Sequence, residues 1–377
     1  MKGAARRCVP PCAALVALLV AACVAAEESP SATRSSVASD SAAPTVRAPS
    51  ATASSASATA APEASTPQAV TPVWTELEVT GEAPPARENH TWTLDPGGEV
   101  AYLFGGRDGG TVYDDLWAYD LRADAWTRVV PDGSTPPARF GHSAAWVPDI
   151  GVVVFAGQAA PELFYNDLWA FDPTANAWRQ LPGGGAAPLA RYGSCAALDA
   201  DGRLWISHGF TQEGNRYADT RTYDFAAAQW TDVTPSGDVP VARCLHGCFW
   251  SIGDDRLVLY AGQTTGVTAL GDLWTLDPQA GWTEHDPPPT AARNLYAFAR
   301  RTDDILVFGG ADDVGGFPTD TFTLGPDLEF AALETISAPP GRRAAQMIDD
   351  TTGGRTLLFA GASDSGALAD LWELRTP

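Results

Sequence analysis

The chain repeats itself six times, and that repetition limits what it can fold into more than any other feature. The motif Pro-x-x-Arg, or a close variant, recurs as PPAR, PPAR, PLAR, PVAR, TAAR and PPGR, ending at Arg87, Arg139, Arg191, Arg243, Arg293 and Arg342. Successive arginines stand 52, 52, 52, 50 and 49 residues apart. After each comes an apolar run closing on glycine (YLFGG, VVFAG, WISHG, LVLYAG, LVFGG, LLFAG), then an aspartate that opens a third segment. Those aspartates are Asp115, Asp167, Asp219, Asp272, Asp320 and Asp370. A tryptophan follows at Trp126, Trp178, Trp230 and Trp282, with Phe330 in that place in the fifth repeat. A unit this short cannot bury its own apolar face and becomes stable only by stacking on its neighbours.

Short runs of Val, Leu, Phe, Trp and Tyr, cut by Gly, Pro and Asp, read as strands. DLWAYD alternates, as a half-buried strand does, whereas GVVVFAG is continuously apolar, as suits a strand covered on both faces. Nothing of helical length intervenes. Four strands per repeat give an all-β fold, a six-bladed β-propeller. These residues resemble the Kelch family, whose repeats carry a doubled glycine after the second strand and a spaced aromatic and Trp beyond it. The resemblance covers residues 73–377. FGG is complete only in the first and fifth repeats, and the third departs furthest, with Ser207-His208-Gly209 and with Arg221 where a Trp is usual. It implies a Kelch-type propeller acting as a binding or scaffold module.

The register also predicts how the ring closes. Trp74 lies 13 residues before Arg87, just as Trp126, Trp178 and Trp230 lie 13 before the next arginine, and Trp282 lies 11 before Arg293. The sixth repeat ends at Pro377, after its third strand. The segment VWTELEV from Val73 is therefore expected to be the outer strand of the last blade, which removes an exposed sheet edge.

Upstream of the repeats, Lys2, Arg6 and Arg7 precede an apolar run from Ala13 to Ala26. That is the pattern of a secretory signal over residues 1–26, and the run is too short for a membrane span. Two processing sites fit. Val24-Ala25-Ala26 suits a general signal peptidase, and VAAC, ending at Cys23, resembles a bacterial lipobox whose cysteine is lipidated. The lipobox is preferred because residues 27–72, mostly Ala, Ser, Thr and Pro, read as a disordered tether. The protein is thus expected outside the cytoplasm, as a lipoprotein held to the membrane only by its lipid or as a free secreted or periplasmic monomer. Of 24 basic and 46 acidic residues, five and four precede Val73, leaving 19 against 42 in the repeats. So acidic a domain repels phosphate backbones, which excludes nucleic acid as a partner.

Strands a to d of a blade alternate in direction. The d–a and b–c connections therefore share one end of the propeller, and the a–b and c–d turns share the other. The six arginines and six aspartates fall at the first end, where each arginine is expected to pair with an aspartate or with loop carbonyls and so hold the blades together. The alternative is a ring of arginines that catches an anionic ligand. Tyr113, Tyr165 and Tyr217, each two before its Asp, read as packing residues. Positions that vary between repeats are the candidate recognition residues: Glu88, Phe140, Tyr192 and Arg343 after the arginines, and Arg107, Phe164, Phe210 and Arg216 in the b–c connections. Their aromatic faces suit a sugar or an apolar side chain, and the acidity of the domain favours a neutral glycan or a neutral-to-basic protein segment.

CLHGC places Cys244, His246 and Cys248 at alternate positions. On one strand, Cys244 and Cys248 would lie ~13 Å apart, too far for one metal ion or a disulfide. Buried free thiols are expected, with a bridge from Cys195 in the neighbouring blade left open. His90, His142 and His246 share one repeat position and read as structural. No motif for a nucleophile, a metal or a phosphate stands out, and no cofactor is expected. Binding is the leading function. The alternative is a sugar-processing propeller such as a sialic-acid epimerase-like protein, for which Arg343 with Glu88 is the pair to nominate.

Overall fold

In the computed structural model, which describes residues 70–211, 214–286 and 292–375, the six repeats form six sheets. Each is built on four antiparallel strands, and together they make a β-propeller. Blade one consists of strands Thr91–Leu94, Val100–Phe104, Leu116–Asp120 and Ala125–Val129, a to d from the axis outward. Among the described residues the helical structure is one 3₁₀ turn, Thr265–Val267. Blade six takes strands a to c from Gln346–Asp350, Arg355–Phe359 and Leu371–Arg375. Its fourth strand is Val73–Leu77, paired antiparallel from Val73 against Arg375 to Leu77 against Leu371. The ring closes as expected.

The repeated tryptophan explains how blades stack. Each d-strand aromatic rests on the aromatic that ends strand b of the preceding blade. Trp126 lies 4.9 Å from Phe359, Trp178 5.1 Å from Phe104 and Trp230 5.2 Å from Phe155. Phe330 lies 5.0 Å from Tyr260 and Trp74 5.5 Å from Phe308. Such ring pairs contribute about 0.5–1.5 kcal/mol each beyond the area they bury. At the seam between blades three and four the partner position is Ser207, and Trp282 meets His208 at 6.1 Å instead.

Two closed circles of backbone hydrogen bonds tie the blades at the d–a/b–c end. In one, the amide two residues after each arginine donates to the same position of a neighbouring blade. Asn89, Gly141, Gly193, Leu245, Leu295 and Ala344 are linked in this way at 2.7–3.1 Å. In the other, the second glycine of each pair donates to the carbonyl of the next blade's arginine, from Gly106 to Arg139 round to Gly361 to Arg87, all at 2.9 Å. The geometry explains the glycine pattern. The first glycine position has φ between 56° and 68° in all six repeats, yet Ala156, His208, Ala261 and Ala360 fill it, since a left-handed residue costs only about 1–2 kcal/mol. At the second position the fit is tighter. A Cβ on Gly157, where φ is +97°, would sit 2.9 Å from the Cβ of His142.

At the other end, the aspartates have a backbone task. Oδ1 of Asp120, Asp172, Asp224 and Asp277 each accepts two amides of its own c–d turn. Much of the acidity that dominates the composition is turn chemistry.

Candidate binding face at the d–a/b–c end

The six arginines are buried to the guanidinium, 0–1% exposed. Each pairs with the aspartate of its own repeat. Arg87 shows the pattern: Nε donates to the Pro85 carbonyl, Nη1 to the Gly105 carbonyl at 2.8 Å and to Asp115 at 2.7 Å, and Nη2 to the other Asp115 oxygen at 2.8 Å. Tyr113, Tyr165 and Tyr217 lie under the guanidinium planes of Arg87, Arg139 and Arg191 at 4.3–4.4 Å. The expectation that these pairs join blades needs correcting. Each side-chain pair lies within one blade, and the arginine reaches its neighbour through its backbone carbonyl. With their donors engaged inside the blade, the arginines do not form an open anion-catching ring. Trp117, Trp169, Trp274 and Trp372 also donate to the aspartates, at 2.7–2.8 Å. In the third repeat Arg221 Nε takes that role toward Asp219 at 3.0 Å, which accounts for the departure from Trp. Burial alone would raise the Asp115, Asp219, Asp272 and Asp370 carboxyls, but the arginine hydrogen bonds and charge outweigh it and hold them below the usual range.

The variable residues sit just above this layer. The residue after each arginine pairs with the residue after the second glycine: Glu88 with Arg107, Phe140 with Gln158, Tyr192 with Phe210, Cys244 with Gln263, Asn294 with Ala311 and Arg343 with Ala362. The side chains of all eight candidates form one connected row. Arg343 contacts Glu88 Oε2 at 3.3 Å, and Arg107 contacts Glu88 Oε1 at 2.8 Å. Arg107 lies over Phe140 at 4.3 Å, Phe140 is 5.7 Å from Tyr192, and Tyr192 is 6.2 Å from Phe210. Phe210 then meets Phe164 at 6.1 Å and Arg216 at 5.5 Å.

Their exposure differs. Phe140 is 5% exposed and roofed by Arg107, so its ring face is not open to a sugar, contrary to the stacking role expected of it. Both oxygens of Glu88 are engaged by guanidiniums, so the pair nominated for sugar chemistry is part of an ion triad. The sequence reading missed two neighbours. Phe317 lies beneath Arg343 at 5.6 Å, and Gln263 accepts Arg216 Nε on its carbonyl at 3.1 Å. Gln263 was findable, because it stands in the same register after the glycine pair as Arg107 and Phe210.

A family model of the KLHDC2/KLHL20/DRC7 Kelch-repeats domain matches residues 66–262, a little over half of the chain. The chain belongs to the Kelch-repeat family. Among curated proteins, it is 28% identical over 256 residues to leucine-zipper-like transcriptional regulator 1 of Pongo abelii, covering 63% of this chain and 29% of that one. It is also 28% identical over 215 residues to Kelch domain-containing protein 3 of Rattus norvegicus, covering 54% of this chain and 55% of that one. Adagio-like protein 3 of Oryza sativa subsp. japonica is 28% identical over 289 residues, 71% of this chain and 44% of that one. The chain thus spans about half or less of the relatives' lengths.

Around this Kelch core the cysteines depart from expectation. Cys195 and Cys248 are joined, with Cα atoms 5.5 Å apart, while Cys244 is buried outside the bridge. Cys244, His246 and Cys248 do not alternate on one strand. Leu245 takes φ +58° in the first hydrogen-bonded circle, and the strand begins only at Gly247, so of the three only Cys248 lies on it. His142 and His208 are buried, and desolvation with the nearby charges of Arg139 and Arg243 pushes their pKa down to about 3. Among the described residues, no group of three His, Cys, Asp or Glu is arranged to hold a metal. Cys23 and the leader lie outside the described residues.

Proposed function

We propose that this Kelch propeller is an exported binding module that engages a protein partner through the d–a/b–c end. The observation that carries this is the connected row from Arg343 to Arg216, with stacked guanidiniums and aromatics at positions that vary from blade to blade. Such residues are enriched at recognition hot spots. Around it, Leu163 (46% exposed), Leu189 (63%), Val241 (49%), Val314 (90%), Val130 (76%) and Ile336 (70%) all stand on d–a or b–c connections. Among the described residues downstream of Val73, the exposed large apolar side chains therefore share one end, which favours an apolar protein surface over a sugar. Arg107, Arg216 and Arg343 are gathered here, but the same connections carry Asp108, Asp114, Glu162, Asp238, Asp312, Asp313 and Asp364, so this end shares the acidity of the chain. The preference for a neutral or basic protein segment drawn from composition therefore carries over to this face. Support for export comes from the Cys195–Cys248 disulfide, since such bonds persist in oxidising compartments.

A peptide-display selection, run beside a glycan array on the full chain, tests the reading. Phe210→Ala with Arg107→Ala should weaken a selected peptide at least tenfold. Alanines at Asp224 and Asp277, on the opposite end, should not. Selection of a glycan alone, or loss of binding only with the opposite-end pair, would refute it.

A further inference from the structure

We propose that the seam between blades three and four is a redox-dependent joint. The Cys195–Cys248 disulfide supplies there the cohesion that aromatic stacking supplies at the other five seams, and its reduction opens the d–a/b–c end of that seam.

Three observations meet at this place. The disulfide joins Cys195, which opens strand a of blade three, Cys195–Leu198, to Cys248 in strand a of blade four, Gly247–Trp250. It is therefore a link between blades. The repeating aromatic pair fails at the same seam: Ser207 stands where Phe or Tyr stands in the other repeats, and it spends its hydroxyl on His208 and Thr220. The other end of the seam is intact, with Trp205 and Trp250 5.2 Å apart in a cluster that includes Leu257 and Leu259. Loss of the disulfide should therefore loosen one end and leave the blades folded. That end carries the amide of Gly209 donating to Arg243, the amide of Leu245 donating to Gly193, and Arg216 donating to Gln263. Tyr192 and Phe210 stand there too, so a consequence for partner binding rests on the function proposed above.

Cys195 and Cys248 both line the axial cavity, which also reaches Thr91, Ser143 and Gln346 and offers a dithiol a way in. One thiolate of an external dithiol attacks a sulfur of the bridge. The other sulfur leaves as a thiolate and takes a proton. The second thiol of the reagent then displaces the first cysteine, forming a cyclic disulfide. The protein gains two electrons and two protons, and Cys244 is not consumed.

Amide hydrogen exchange on the full chain tests this without any partner, so its outcome is separable from the binding reading. The oxidised protein is compared with protein held in dithiothreitol and with Cys195→Ala/Cys248→Ala in the absence of reductant. A thiol count confirms reduction. The amides of Gly209 and Leu245 should exchange at least tenfold faster in both altered forms. Those of Gly106 and Gly141, which make the same bonds between blades one and two, should not change. Unchanged exchange at Gly209 and Leu245, equal acceleration at every seam, or a bridge that stays closed in the folded protein at high dithiothreitol would overturn the proposal. If the double variant does not fold, the reduced wild type alone decides.

Discussion

The arginine and aspartate of each repeat are its most demanding residues. Arg139 is 0% exposed and relies on both oxygens of Asp167. Asp167→Asn keeps the shape but leaves a buried guanidinium without its counter-charge. The expected loss is about 3 kcal/mol, since breaking one partner of a buried pair typically costs 3–5. A urea titration reads it as a lower midpoint at unchanged slope. The buried histidines give a pH dependence. His142 and His208 titrate near 3 in the folded protein against an ordinary value of 6.5, so the unfolded chain binds their protons first. Stability is then highest above about pH 6.5 and falls as pH drops from there toward 3, by about 2 kcal/mol per histidine at pH 5. The carboxyls held low by arginine add a further loss at lower pH, with the same sign. His142→Asn should flatten the decline between pH 7.5 and 5 in urea midpoints; an unchanged slope would refute the assignment.

At the scale of elements, the strand Val73–Leu77 matters most. It shields the edge of Leu371–Arg375, and its Trp74 is 2% exposed and donates to Thr321 Oγ1 of blade five. Removing residues 73–80 should expose an apolar strand edge and remove one of the five aromatic stacks. We expect a lower melting temperature and concentration-dependent association by light scattering. A truncated chain that stays monomeric and melts like the full one would contradict this. The seam between blades six and one is pinned at the turn end by Arg355. It donates to Asp350 and Asp124 and, through Nη2, to the Leu121 carbonyl of blade one at 2.8 Å. Closure therefore joins strand pairing to an ionic contact between the last blade and the first.

For the whole molecule, exposed apolar side chains are sorted by end, whereas acidic residues stand at both. Aspartates fill the a–b and c–d turns, while the exposed apolar side chains and the stacked arginines gather at the d–a/b–c end. Acidity at both ends serves solubility, and apolar exposure marks one of them for contact. Export is the remaining question at this scale. If Cys23 is lipidated, Cys23→Ser should move the protein from the membrane fraction to the soluble exported fraction, and fatty-acid labelling should mark the wild type alone. A mature N-terminus at Glu27 would instead establish ordinary secretion.

The blade count, the closing strand and the face on which the variable residues lie were all legible in the sequence, because each follows from register. A strand's position in a repeat fixes which end its loops occupy, whatever the side chains do. The contacts among those side chains were not legible, because they depend on where neighbouring blades bring residues some 50 positions apart. Only the tertiary structure placed Arg107 over Phe140 and closed Glu88 between two arginines. It also showed that the side chains of Arg87 and its equivalents pair within a blade, while their backbones bond the neighbouring one. The cysteines make the point most clearly. Spacing along one strand kept Cys244 and Cys248 apart but could not choose a partner for either. Leu245, between them, takes a left-handed turn with its amide on Gly193 of blade three, and blade packing brings Cys195 to Cys248.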